Sequence, residues 1–202
     1  GARGNSGAIF TEFLHGLAAA MEKRVTVDLP EFAAAARRGA ESAYAALSEP
    51  REGTILTVVR AWAHELGQRD DGEDFIDSMH RAVQAAREAL ADTPRQLEVL
   101  ARSHVVDAGG QGFVYFVEGL LESLRGDGEV AWTPREAAPH GLPPFSDTRE
   151  EIDERFRYCS EALVVAREGE EVSREALTAA VAGLGESLVV AGGGSCLRVH
   201  LH

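Results

Sequence analysis

Between Asn5 and Glu22 the apolar residues Ile9, Phe10, Phe13, Leu14 and Leu17 recur at spacings of three and four, which gathers them on one helical face. Asn5 or Ser6 stands where that helix needs a cap. A second helix is predicted after Asp28, with Pro30 in its first turn, through the alanine-rich stretch from Phe32 to Leu47, and Pro50 stops it. The alanines allow close helix packing. A third helix is predicted from Thr54 to Leu66, closed by Gly67, a fourth from Phe75 to Leu90, a short one from Pro94 to Arg102 and a sixth from Gly112 to Leu124. Joined by short connections, these helices predict a bundle-like all-α domain over residues 1–125.

The period then changes. Gly126, Gly128, Pro134, Pro139, Gly141, Pro143 and Pro144 mark residues 126–155 as a linker. In residues 156–202, Tyr158 to Ala166 and Ser187 to Ala191 read as buried strands, and Cys196 to His202 alternates as a third. Ser173 caps a predicted helix ending near Leu184. Strand, helix, strand, strand is half of a ferredoxin-like sandwich, so the reading is an α plus α/β chain of two domains.

Composition narrows the function classes. The 202 residues carry 33 acidic against 20 basic side chains, a formal net charge of −13, which repels nucleic-acid phosphates and anionic membranes. No apolar run is long enough to span a bilayer and no signal segment opens the sequence, so a cytoplasmic protein is expected. Cys159 and Cys196 are its two cysteines, too few for a disulfide framework. The sequence begins at Gly1 and ends at His202 inside a strand-like alternation, so a piece of a longer protein is expected.

Three small-residue turns carry the candidate chemistry. Gly1-Ala2-Arg3-Gly4-Asn5-Ser6-Gly7 places glycines and small polar residues directly before a helix, where free amides and the positive dipole end favour a phosphate. It is not a Walker A loop, because the GK[ST] ending is missing. Asp107-Ala108-Gly109-Gly110-Gln111-Gly112 precedes another helix and offers a carboxylate to a metal ion or a ribose. Glu52-Gly53-Thr54 is the third, with Thr54 suited to cap its helix or to donate a hydroxyl to a phosphate oxygen. Each turn alone serves equally well as a capped, closely packed helix start. Together they suggest several helix N-termini around one anion.

GARGNSG, EGTILTVVR and VVDAGGQG, in this order, resemble the DhaL-type domain of bacterial fatty acid kinase subunits, which is similar to the ADP-binding subunit of dihydroxyacetone kinases. RYCSEALV, GESLVV and RVHLH extend the resemblance into the second region. The resemblance implies an antiparallel helical barrel, incomplete here, that binds ATP or ADP with Mg²⁺ and supports γ-phosphate transfer to a fatty acid carboxylate. That fatty acid would be held by a separate DegV-like fatty-acid-binding protein. Carried over, Gly4, Asn5, Ser6 and Gly7 would cradle the phosphates, with Thr54 near them. Asp107, Gly109 and Gly110 would border the nucleoside. The family's metal site is a loop of aspartates ahead of the first motif, so no catalytic residue is assigned here and this piece is expected to be inactive alone. Asp70, Asp71, Glu73 and Asp74 form the densest carboxylate cluster, but they read as a solvated helix start.

His200 and His202 are two apart on a predicted strand and share a face. With a thiolate they would suit Zn²⁺. The resemblance points to Cys159 as that ligand; even spacing makes Cys196 the alternative. The same residues serve equally as ordinary strand positions, and the zinc hypothesis is structural or dimer-supporting, in a homodimer. Two rival functions stay open: a non-catalytic DhaL-like scaffold for dimerisation or regulation, and a dihydroxyacetone-type kinase subunit.

Overall fold

The computed structural model describes residues 4–68, 74–126, 158, 160–168, 170–185 and 187–201. Helices α1 (Gly4–Ala20), α2 (Leu29–Ala45), α3 (Ile55–Leu66), α4 (Phe75–Gln96), α5 (Glu98–Ser103) and α6 (Ala108–Leu124) are followed by β1 (Ser160–Val165), α7 (Arg174–Val181), β2 (Val189–Gly193) and β3 (Cys196–Leu201). The described residues are therefore mostly helical, with a small antiparallel sheet.

Local chemistry accounts for the helix limits. Asp28 Oδ1 accepts the Glu31 N–H at 2.9 Å while Glu31 Oε2 accepts the Asp28 N–H at 3.2 Å, a reciprocal cap that starts α2 just before Pro30. Asp74 caps α4 by accepting the Asp77 N–H at 2.8 Å; Asp70, Asp71 and Glu73 lie outside the described residues. The predicted break at Leu90 is not observed, and α4 runs through Pro94 to Gln96. Proline has no N–H for the Leu90 carbonyl, but Thr93 Oγ1 donates to that carbonyl at 2.7 Å instead. The local cost of the proline is thereby reduced.

Helices α1, α2, α3, α4 and α6 enclose one core. At its centre Trp62 meets Phe13, Phe32 and Phe113 edge-on, with centroids 5.7 to 6.1 Å apart. Trp62 is buried, as the apolar face of α3 predicts.

The sheet has the order β1-β3-β2, with β3 antiparallel to both neighbours. Inserting β3 between the two strands that α7 connects makes a split β-α-β unit. Alternate residues of the sheet face different layers. Leu188, Val190, Leu197 and Val199 bury against Leu177 and Val181 of α7, whereas Val189 and Ala191 bury against Ala8 of α1 and Leu47. β1 corrects the prediction of a buried strand: Leu163 and Val165 are 61% and 63% exposed, since β1 lies at a sheet edge.

Candidate functional site

The described residues of the two outer glycine-rich motifs are helical from Gly4 and from Ala108 onward. Gly4, Asn5, Ser6 and Gly7 form the first turn of α1, and α6 begins at Ala108, a turn earlier than predicted, so Gly109 and Gly110 lie in its first turn. Amides in a helical first turn have no carbonyl one turn back to bind. The motifs therefore still present N–H groups at a positive dipole end.

Asp107 is fixed from two directions. Its Oδ2 accepts the Gly110 N–H at 2.7 Å, which caps α6, and its own N–H donates to Thr93 Oγ1 at 3.1 Å. Thr93, which is fully buried, thus ties the end of α4 to the start of α6. Gly109 sits against α1: a Cβ there would lie 2.6 Å from Ser6 Oγ and 2.9 Å from Ser6 Cβ. At Gly110 a Cβ would lie 2.8 Å from Val58 of α3. Side chains at either position would separate the helix starts.

Thr54 caps α3, accepting the Leu56 N–H at 3.4 Å and donating to the Arg51 carbonyl at 2.8 Å. Of its two predicted roles the structure uses the cap. Gly53 has φ +79°, a left-handed turn that glycine adopts without a Cβ penalty. Glu52 holds this turn in place. Its carboxylate accepts from Thr57 Oγ1 at 2.5 Å, from Tyr44 Oη at 3.0 Å and from both terminal nitrogens of Arg60 at 2.7 and 2.8 Å. Burial works against the charge, but the hydrogen bonds from Thr57 and Tyr44 and the Arg60 guanidinium outweigh it and hold Glu52 below the usual carboxylate range. Burial, then the Glu52 hydrogen bond and charge, push the Tyr44 phenol up.

Asn5, Ser6, Thr54 and Asp107, from three separate motifs, line one cavity of about 600 Å³. Three helix N-termini, those of α1, α3 and α6, meet there. Asn5 Oδ1 is buried with no hydrogen-bond partner among the described residues, in a side chain that faces this cavity. Arg51 supplies a cation that the turn motifs alone do not mark; its signal is its place two residues before Gly53. Glu49, also at the cavity, stands 3.9 Å from Arg51. Ser187, which is exposed, and Leu188, which is buried against α7, also line the cavity.

Among the described residues, no group of three or more His, Cys, Asp or Glu side chains is placed to hold a metal ion. Cys159 and His202 lie outside the described residues. His200 is buried, with Nδ1 3.4 Å from Glu161 Oε1. Cys196 and His200 share a face of β3, but four residues of extended strand separate them by about 13 Å, so Cys196 cannot join His200 at one zinc ion. No helix among the described residues is long and apolar enough to cross a membrane.

Comparison with known proteins fits this two-part organisation. Residues 1–122 match the DAK2 domain family, and residues 155–202 match the middle domain of the FakA-like fatty acid kinase family. An uncharacterized protein of Staphylococcus epidermidis is 32% identical over 207 residues, which takes in 100% of this chain and 38% of that protein. Uncharacterized proteins of Staphylococcus saprophyticus and Staphylococcus aureus are each 31% identical with the same coverage. The chain thus spans 38% of the length of these curated relatives. With its helical region matching the first family over more than half of its length and its sheet region similar to the second, the chain belongs to the DAK2 domain family.

Proposed function

We propose that this chain is the ATP-binding part of a fatty acid kinase subunit. The observation that carries the reading is the meeting of the α1, α3 and α6 starts at one cavity. Its volume of about 600 Å³ lies within the range of small-molecule sites. First-turn amides and three positive dipole ends suit a polyphosphate, and Arg51 adds a full charge. Asn5 Oδ1, buried with no partner among the described residues, fits a ligand that also offers a hydroxyl or amino donor, as a nucleotide does. Bound there, ATP would supply the γ-phosphoryl group: a fatty acid carboxylate oxygen bonds to the γ-phosphorus as the bond to the bridging oxygen breaks, giving an acyl phosphate and ADP. The protein's share of such a reaction is positioning and charge neutralisation.

The described residues do not fit a Mg²⁺ site. Asp107 commits one carboxylate oxygen to its own helix, and Glu49 stands beside Arg51. The magnesium that accompanies ATP is assigned to aspartates ahead of the first motif, as the family resemblance implies. The same proposal includes a DegV-like carrier for the fatty acid, a cytoplasmic homodimer, and a zinc site formed by Cys159, His200 and His202.

Calorimetric titration with ATP, with and without Mg²⁺, tests the cavity. One saturable site that weakens in Asn5→Ala and Arg51→Met is the expected result. Turnover is then measured in the full-length protein with a fatty-acid-loaded carrier. ATP binding without carrier-dependent ADP release would favour a regulatory scaffold; absence of ATP binding would end the kinase reading.

A further inference from the structure

The cavity is not built from the helical region alone. Ala182, Gly185, Ser187 and Leu188, which follow α7 and lead into β2, line it together with Asn5 and Thr54. Two independent attachments bring them there.

The first is a backbone seam. The Val190 N–H donates to the Ala46 carbonyl at 3.0 Å, and the Ser48 N–H donates to the Leu188 carbonyl at 3.3 Å. Leu47 and Val189 form the bridge between these bonds. The outer edge of β2 is therefore paired with the segment after α2, and that same segment continues through Glu49 and Arg51 to the cap of α3.

The second is a buried ionic contact. Glu12 of α1 is 1% exposed, a position that a carboxylate occupies only when it is well partnered. Its Oε1 accepts the Gly192 N–H at 2.5 Å and its Oε2 accepts from Arg174 at 2.8 Å, while Arg174 also donates to the Gly192 carbonyl. Glu12 follows Asn5 by seven residues, close to two helical turns, so one rigid helix carries both the phosphate-facing turn and the anchor of the sheet. Ser187 has φ +55°, a left-handed backbone that costs a non-glycine residue energy and persists where its surroundings impose it.

We propose that the α/β region is a working wall of the nucleotide cavity, with Ser187 and Leu188 facing the bound ATP and the Glu12–Arg174 pair holding them there. The proposal rests on the nucleotide reading of the cavity and adds its regulation: nucleotide binding and docking of the α/β region reinforce each other. Reciprocity is thermodynamically required, since a wall that strengthens ATP binding must itself be held more firmly by ATP. Arg174 is a positioning residue in this scheme.

The test combines ATP calorimetry on the wild-type chain, Arg174→Ala and Arg174→Lys with hydrogen exchange of the Val190 amide, with and without ATP. Arg174→Ala is expected to weaken ATP binding about tenfold, with Arg174→Lys recovering most of it. In the wild-type chain ATP is expected to slow Val190 exchange more than it slows exchange in α4. That second measurement needs no substitution, so it decides the matter even if Arg174→Ala fails to fold. Wild-type ATP binding with unchanged affinity in the folded variant, or with Val190 exchange unaffected, overturns the wall and leaves the nucleotide cavity standing. Failure of the wild-type chain to bind ATP overturns both.

Discussion

Gly109 and Ser6 lie so close that a Cβ on residue 109 would come within 2.6 Å of the Ser6 hydroxyl oxygen. Rotating the hydroxyl relieves that contact, but Ser6 Cβ remains at 2.9 Å, so α1 itself would have to move away from α6. Helix propensity favours alanine over glycine by about 1 kcal/mol, whereas a forced overlap costs about 1–3 kcal/mol. Gly112 is the control, on the same helix with nothing within 4 Å of an added Cβ. Urea unfolding is expected to show Gly112→Ala stabilised and Gly109→Ala destabilised, with ATP affinity reduced in Gly109→Ala alone. Stabilisation by both substitutions would show that the two helix starts are not in enforced contact.

Asn5 has the opposite signature. Its buried Oδ1 has no partner among the described residues, so removing the amide should leave the stability of the ATP-free chain unchanged or slightly raised. ATP affinity in Asn5→Ala should nevertheless fall about tenfold, the equivalent of one lost hydrogen bond accepted by Oδ1 from a hydroxyl or amino group of the nucleotide. Calorimetry and thermal unfolding on the same protein separate the two effects. An equal loss in both would make Asn5 a structural residue.

Elements that state their period locally were readable in the sequence, and α2, α3 and β3 lie close to where apolar spacing and Asp28, Thr54 and Gly67 put them. Glycine misled at the second of the outer motifs, where the helix starts at Ala108 rather than Gly112. It reads as a loop signal, yet at Gly109 it permits helix contact within a regular first turn. Pro94 misled in the same way, because the Thr93 hydroxyl that makes it tolerable is a side-chain effect that a breaker rule does not contain. β1 has the apolar composition of a buried strand, and its place at the sheet edge is a matter of topology. The candidate site divides likewise. Asn5, Ser6, Thr54 and Asp107 were marked by their turns, whereas Glu12 finds Arg174 and Gly192 at separations of 162 and 180 residues and carries no local signal at all.

Arg51 lines the cavity with its side chain 69% exposed, and its neighbour Glu49 is 80% exposed at 3.9 Å. An ion pair this open contributes little to stability, so Arg51→Met should shift unfolding by no more than about 0.5 kcal/mol. Its role would be exercised on the ligand. ATP affinity is expected to fall about tenfold, and the dependence of affinity on salt should flatten, because one cation facing the phosphates is gone. Unchanged affinity with an unchanged salt slope would remove Arg51 from the site.

Glu52 makes the turn before Thr54 sensitive to acid. Burial disfavours its charge, but Thr57, Tyr44 and Arg60 together hold its folded pKa below the ordinary glutamate value of 4.5. A depressed folded pKa contributes stability that is present above the unfolded value and is lost as pH falls through the folded one. Glu52 is partly exposed, so the contribution is discounted to about 1 kcal/mol. Wild-type protein should therefore exceed Glu52→Gln in Tm by a constant margin from neutral pH down to about pH 5, and the margin should close only below the ordinary carboxylate range. At the alkaline end the sign reverses, because the Tyr44 phenol is pushed above the ordinary tyrosine value of 10.0, and the stability it contributes is lost as pH rises beyond that value. Thermal unfolding of both proteins across this range checks the acid limb. A margin that closes already at pH 6 would mean that some other group, and not Glu52, governs the acid response of this turn.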